Sequence, residues 1–129
     1  MESCIFCEIV KGSMDAAKVY EDNDILVFLD IYPESRGHCL VIPKRHVKNI
    51  YEISEANLEK VAIMGKKVAE KLKKTFDADG ILLKQANSKA AGQVIFHYHL
   101  HVIPKYNQDG IVAKPDMEEL KKLAEQLKI

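Results

Sequence analysis

The stretch FHYHLHVIPK, residues 96–105, sets His97, His99 and His101 at alternate positions. On an extended strand alternate side chains share a face, so the three imidazoles are expected on one side and Phe96, Tyr98, Leu100 and Val102 on the other. The apolar side belongs in a core, the imidazole side in a site or in water. At about 3.3 Å of rise per residue, His97 and His101 are roughly 13 Å apart along the strand. A zinc ion holds imidazole nitrogen at about 2.0 to 2.1 Å, so it can gather neighbours such as His97 and His99 but not both outer members. At least one of the three imidazoles is therefore free for other chemistry.

Further metal donors stand near the start of the chain, where Cys4-Ile-Phe-Cys7 spaces two thiols so that both can grip one tetrahedral ion. Such a pair needs two more donors, and His46 in PKRHV and one end of the triplet are the candidates. A redox couple is another use of a Cys-x-x-Cys pair, but the strand and helix setting of thioredoxin-like motifs is missing. Cys39, inside HCLVI, reads as a small buried hydrophobe.

These side chains need elements to position them. KVYEDNDILVFLDI reads as two short strands around a turn at Glu21-Asp22-Asn23-Asp24. GHCLVIP, closed by Pro43, and GILLKQAN are further strands, and VIFHYHLHVIP, closed by Pro104, is the last and longest. KGSMDA breaks structure after Cys7. Ser54 caps a helix on which Leu58, Val61, Ala62, Gly65, Val68, Ala69, Leu72 and Phe76 recur at three- and four-residue steps. Asp116 opens a shorter helix with Glu119 as its capping-box partner and Met117, Leu120, Leu123 and Leu127 as its stripe. Both stripes read as packing surfaces. Strand pairs joined by turns, with a helix grouped late, predict an α+β fold with a mainly antiparallel sheet.

At 129 residues and 47% hydrophobic content, one core and one domain spanning residues 1–129 are expected. Nineteen acidic side chains balance nineteen basic ones, so no overall field favours nucleic acid or an anionic membrane. Lys44, Arg45 and Lys105 read as a solvated charged rim. No apolar run approaches the roughly 20 residues that span a bilayer, and Met1 to Val10 lacks the pattern of a signal peptide. A soluble, cytoplasmic protein is the expectation.

HYHLHVI matches the histidine triad signature, and the likeness extends from CIFCEIVKG through YEDNDILVFLDIYPESRGHCLVIPKRH to AAGQVIFHYHLHVIPKY. The chain resembles the histidine triad (HIT) family of nucleotide hydrolases and transferases, in its zinc-bearing branch. The resemblance implies an α+β fold with a five-stranded antiparallel sheet and two main helices, dimerising into a continuous ten-stranded sheet. It implies a nucleotide substrate attacked at its α-phosphate by His99, with His101 contacting the phosphate and Gln93 as the phosphate-side amide. An imidazole with an ordinary pKa near 6.5 is largely neutral at pH 7 and can form a covalent phosphoramidate that water later opens. The base pocket maps onto Phe6, Ile9, Phe28, Ile31 and Leu40, with Asp30 accepting the ribose hydroxyls. Gly92 lets the backbone approach the phosphate. Structural zinc falls to Cys4, Cys7, His46 and His97, so that one histidine anchors, one attacks and one steers.

The sequence departs from the family pattern in two places. Where the family shows asparagine, any residue, glycine before AGQ, this chain has Ala86-Asn87-Ser88, which displaces the amide to Asn87. Val94 stands where a polar residue often follows the glutamine, so only its backbone N–H is left to assist. The resemblance implies a purine nucleoside phosphoramidase or a related hydrolase releasing a nucleoside monophosphate, and a dinucleoside polyphosphate hydrolase is the second reading. A hydrolase built on an open zinc held by His97 and His99 is a third, and a non-catalytic zinc-stapled interaction module a fourth.

Overall fold

The computed structural model describes residues 4–108 and 113–129. Its sheet has five strands: β1 (Lys18–Glu21), β2 (Ile25–Leu29), β3 (Cys39–Pro43), β4 (Gly80–Lys84) and β5 (Leu100–Lys105). They lie in the order β1-β2-β3-β5-β4, and every neighbouring pair is antiparallel. Helix α1 (Ile5–Lys11) packs on one face, while α2 (Glu55–Phe76) and α3 (Met117–Leu127) cover the other. The α+β expectation holds.

Each element follows from local chemistry. Asp22 Oδ1 accepts from the backbone N–H groups of Asp24 at 2.7 Å and Ile25 at 2.8 Å, which closes the expected β1–β2 turn. Ser54 caps α2 by accepting from Asn57 N–H, and Asp116 and Glu119 form the capping box of α3. The α2 stripe is buried at Val61, Gly65, Val68 and Leu72, with Met64 joining it, whereas Ala62 faces solvent. Fully burying a side chain such as Leu72 stabilises by about 1.5 to 3 kcal/mol. β2 and β3 are buried on both faces, because helices cover both.

Three features differ from the sequence reading. Helix α1 was not expected. It begins with Cys4 as its cap, whose Sγ accepts from Cys7 N–H, and stops at Gly12 in the left-handed region with φ 85°. The last strand starts at Leu100, later than its alternation suggests, and residues 94–99 are not ladder. Pro43 ends β3, whose pairing with β5 covers only Cys39 to Val41, and Tyr98 N–H instead donates to Val47 O at 2.7 Å. This leaves Phe96 exposed while Tyr98 and Val102 are buried, so the apolar side of the triplet is only partly in the core. Finally, Pro104 does not close β5 but lies inside it. Its carbonyl turns to the β3 side, beyond the end of that ladder, where Ser35 Oγ donates to it; a missing N–H on that side costs no pairing.

Gly37, between Ser35 and the strand carrying Leu40, has φ 95°, and a Cβ there would meet Leu72 Cδ2 at 2.9 Å. The turn can therefore press onto α2 only as glycine. That close approach fixes the next residue, His38.

Candidate active site and metal cluster

Helix α1, the segment after β3 and the stretch before β5 bring four donors together. Cys7 Sγ lies 3.3 Å from His46 Nδ1, His97 Nδ1 lies 3.5 Å from Cys4 Sγ and 3.6 Å from Cys7 Sγ, and the two imidazole nitrogens are 3.4 Å apart. A tetrahedral zinc with sulfur at about 2.3 Å and nitrogen at about 2.0 to 2.1 Å spaces its ligand atoms roughly 3.3 to 3.8 Å apart. The four side chains thus have the spacing of a closed tetrahedral site. His97, 0% exposed, sits 2.7 Å from Pro43 O through Nε2, so Nε2–H donates outward and Nδ1 is left as the ligand atom. Burial pushes its pKa down to about 4, which keeps the ring neutral. Without a cation, burial and the neighbouring Cys4 push the Cys7 thiol up to about 11. A cation reverses that by stabilising the thiolates. His99 is not in this cluster, contrary to a zinc shared by His97 and His99.

His99 turns to the other side. Its Nδ1 lies 2.7 Å from the carbonyl of His97, so Nδ1–H donates to that oxygen and Nε2 keeps its lone pair. Burial lowers the pKa, opposed by that hydrogen bond and by Asp30, and the ring is neutral at pH 7. His101 follows, with ring centroids 4.9 Å apart. Its proton is placed by His38, a residue the sequence reading passed over. The backbone N–H of Glu34 donates to His38 Nδ1 at 3.0 Å, so neutral His38 carries its proton on Nε2 and donates to His101 Nδ1 at 2.9 Å. His101 is left as an Nε2–H donor. Burial first, then the neighbouring His99 and Lys84, pushes its pKa down to about 4, and burial does the same to His38. One ring thus presents a lone pair and its neighbour an N–H.

Both rings line a cavity of about 980 Å³. Phe6, Ile9, Phe28, Leu40, Ile31 and Asp30 line it too, and so do Asn87, Gly92 and Val94. Phe6 stands edge-on to Phe28 at 5.3 Å and to His99 at 5.2 Å. Asp30 Oδ1 accepts from Tyr32 N–H at 2.8 Å, and Oδ2 lies 3.5 Å from His38 Nε2. Burial raises the Asp30 pKa, with the Tyr32 N–H and His99 opposing. One carboxylate oxygen closes the turn and the other has capacity for a ligand hydroxyl.

Gln93 is the expected site residue that does not line the cavity. It is 3% exposed; its amide donates to Lys48 O at 2.6 Å and to Ile95 O at 3.1 Å, and accepts from Ser88 N–H at 2.7 Å. Its place is to clamp the loop over the site and hold Ser88 at φ 78°, ψ 160°, a conformation costly for any residue but glycine. Asn87 is committed too: its Oδ1 accepts from Ile50 N–H at 2.8 Å, and its amide pairs with that of Gln85. Val94, 84% exposed, stands at the rim. Lys84 lines the cavity and was missed, although its alternation along β4 with Leu82 puts it on that face.

The chain matches the HIT domain family model over residues 11–108. It is 42% identical over 113 residues to the protein hit of Bacillus subtilis, covering 87% of this chain and 78% of that one. A hypothetical histidine triad nucleotide-binding protein from Sulfolobus tokodaii superposes with a TM-score of 0.90 at 36% identity, covering 96% of this chain and 89% of that one. A zinc-bound histidine triad family protein from Mycobacterium smegmatis does so with 0.84 at 39% identity, covering 97% and 95%.

The buried neutral imidazoles set a pH response. His38 and His101 have pKa values of about 4 in the fold against 6.5 ordinarily, so between those values the unfolded chain binds more protons. Their contribution to stability is fully present above the ordinary value and is lost as pH falls from there through about 4. Urea midpoints measured downward from about pH 7.5 should fall through this window, and His38→Gln should flatten part of the slope. A slope unchanged by that substitution would show that His38 does not titrate on unfolding.

Proposed function

The chain belongs to the histidine triad family, and on that premise we propose a nucleotide-binding hydrolase that attacks an α-phosphate through His99 and releases a nucleoside monophosphate. The observation that carries this reading is the pair of fixed, opposite protonation states at the cavity wall: the Nε2 lone pair of His99 beside the Nε2–H of His101. A purine would lie against the apolar patch that Phe6, Phe28, Ile9 and Leu40 contribute to the cavity wall. Asp30 Oδ2 takes ribose hydroxyls.

His99 Nε2 then forms a bond to the α-phosphorus as the bond from phosphorus to the leaving group breaks. His101 Nε2–H and the backbone N–H of Val94 donate to the phosphoryl oxygens as charge shifts onto them. The leaving group takes up a proton from solvent as it departs, and the water that later adds to phosphorus returns one to solvent. Water then breaks the P–N bond, giving the nucleoside monophosphate and restoring His99. Purine nucleoside phosphoramidates are the first substrates to try, and dinucleoside polyphosphates the second.

Zinc is the proposed ion at Cys4, Cys7, His46 and His97, with a structural role. All four positions are filled by protein, so no open position is left for water. Its grip on α1 holds Phe6 and Ile9, which line the pocket, so it shapes the site without touching substrate. The proposed partner is a second copy of the chain. β4 is an edge strand with Leu82 41% and Leu83 50% exposed, and pairing two such edges would make one ten-stranded sheet. Among the described residues no helix is long and apolar enough to cross a membrane.

His99→Ala should keep its fold and metal but lose AMP release from adenosine phosphoramidate by a factor on the order of 10³ or more, because the attacking atom is gone. Wild-type rates in this variant would refute the mechanism. If wild-type protein binds no nucleotide in a titration with AMP, a non-catalytic zinc-stapled module becomes the better reading. Elemental analysis should give about one zinc per chain, and Cys4→Ser should lose metal and thermal stability together, since metal affinity adds to folding free energy. Zinc-free wild-type protein of undiminished stability would contradict this. Light scattering at micromolar concentration should give twice the chain mass; the mass of a single chain would exclude the paired sheet.

A further inference from the structure

Lys84 is the only lysine or arginine among the described residues lining the cavity. It ends β4 directly opposite His101 in the ladder, and residues so paired have side chains on one face of the sheet. The strand order then fixes what lies where. The apolar walls Phe28 and Leu40 come from β2 and β3, His101 from β5 and Lys84 from β4, so Lys84 lies past the histidines on the side away from the base pocket. On the nucleotide reading above, that side is open to the substituent on the α-phosphorus other than the nucleoside.

The other side chains there have little to offer such a group. Asn87 and Gln85 bond to each other, with Ile50 N–H and Ala86 O taking further capacity, and Val94 is apolar. The Lys84 ammonium gives one N–H to Glu34 Oε2 at 2.6 Å, which leaves two donors. Lys105 lies 3.7 Å from the other oxygen of Glu34, so two cations share that carboxylate, and Asp30 across the cavity is the other carboxylate that Lys84 acts on. Glu34 thus parks the ammonium at the cavity edge with two N–H donors still unused. An ammonium of this kind suits a phosphate oxygen as a mobile point charge.

We propose that Lys84 is a specificity-determining residue that binds an anionic leaving group, favouring nucleotides whose α-phosphate carries a further phosphate over those carrying an amine. The inference rests on the nucleotide-hydrolase reading and selects a substrate class within it. An amine leaving group has no negative charge for the ammonium to meet. A phosphate or polyphosphate has at least one, and the bond to Lys84 strengthens as charge builds on the departing oxygen.

The test is the ratio of kcat/KM for diadenosine tetraphosphate to kcat/KM for adenosine phosphoramidate, measured at low ionic strength on wild-type protein, Lys84→Gln and Lys84→Arg. Lys84→Gln should lower the ratio about tenfold, and Lys84→Arg should restore most of it. Added salt should lower the wild-type ratio and leave that of Lys84→Gln nearly flat. Thermal melts check that each variant is folded; Lys84 is half exposed on an edge strand, so folding should survive. An unchanged ratio overturns the proposal, and so does an equal loss on both substrates, which would place Lys84 on the α-phosphate itself. Failure of the wider reading looks different: wild-type protein then turns over neither substrate, and His99→Ala changes nothing.

Discussion

The hydrogen bond from His99 Nδ1 to the carbonyl of His97, 2.7 Å long, is the interaction on which the site depends. It decides which nitrogen of His99 keeps a lone pair, and it does so with a backbone atom that cannot rotate away. His97 is itself pinned, with Nε2 donating to Pro43 O and Nδ1 turned to Cys4, Cys7 and His46. The neighbouring ring carries the complementary tautomer. His101 has it because a second relay, from Glu34 N–H through His38, ends on His101 Nδ1. Two backbone groups, a carbonyl and an N–H, thus set the protonation of two adjacent rings in opposite senses.

The sheet makes this possible by having both faces covered. α2 and α3 bury one face around Val41, Leu72 and Val102, which fixes the backbone of β3 and β5. On the other face α1 is short and covers only Leu26, Phe28, Leu40 and Ile42, leaving the cavity beside it. A helix of 7 residues has little intrinsic stability. Its cap Cys4 and its Cys7 lie at the four-donor cluster while Phe6, between them, touches Phe28 and His99 edge-on. A metal held there would therefore be linked to pocket shape through one turn of helix.

The strands, the two long helices and their caps were legible in the sequence because each rests on local chemistry: Asp22 in its turn, Ser54 and Asp116 at their helix starts. α1 was not, since CIFCEIVK is too short to show a helical period and its cap is a thiol. The resemblance points to Cys4, Cys7, His46 and His97 as donors and to a set of pocket residues; the fold brings the four donor atoms together and sets the pocket residues along one cavity. Gln93 shows the limit: the resemblance offers it as a phosphate-side amide, but in this fold both its N–H groups go to backbone carbonyls and its oxygen accepts from Ser88 N–H. His38 and Lys84 were missed because their roles depend on register, Leu40 and Lys84 both lying opposite His101 from two different strands. No pattern within either strand reveals that.

The proposed chemistry requires His99 Nε2 to be the atom that bonds to phosphorus. Its most direct test is rapid quench of wild-type protein with a nucleotide labelled at the α-phosphate, followed by mass analysis in alkali, which preserves phosphohistidine. The label should appear on the peptide carrying His99, attached through Nε2, and should form and decay at rates consistent with turnover. Turnover without any covalent label, or label on His101 instead, would contradict it.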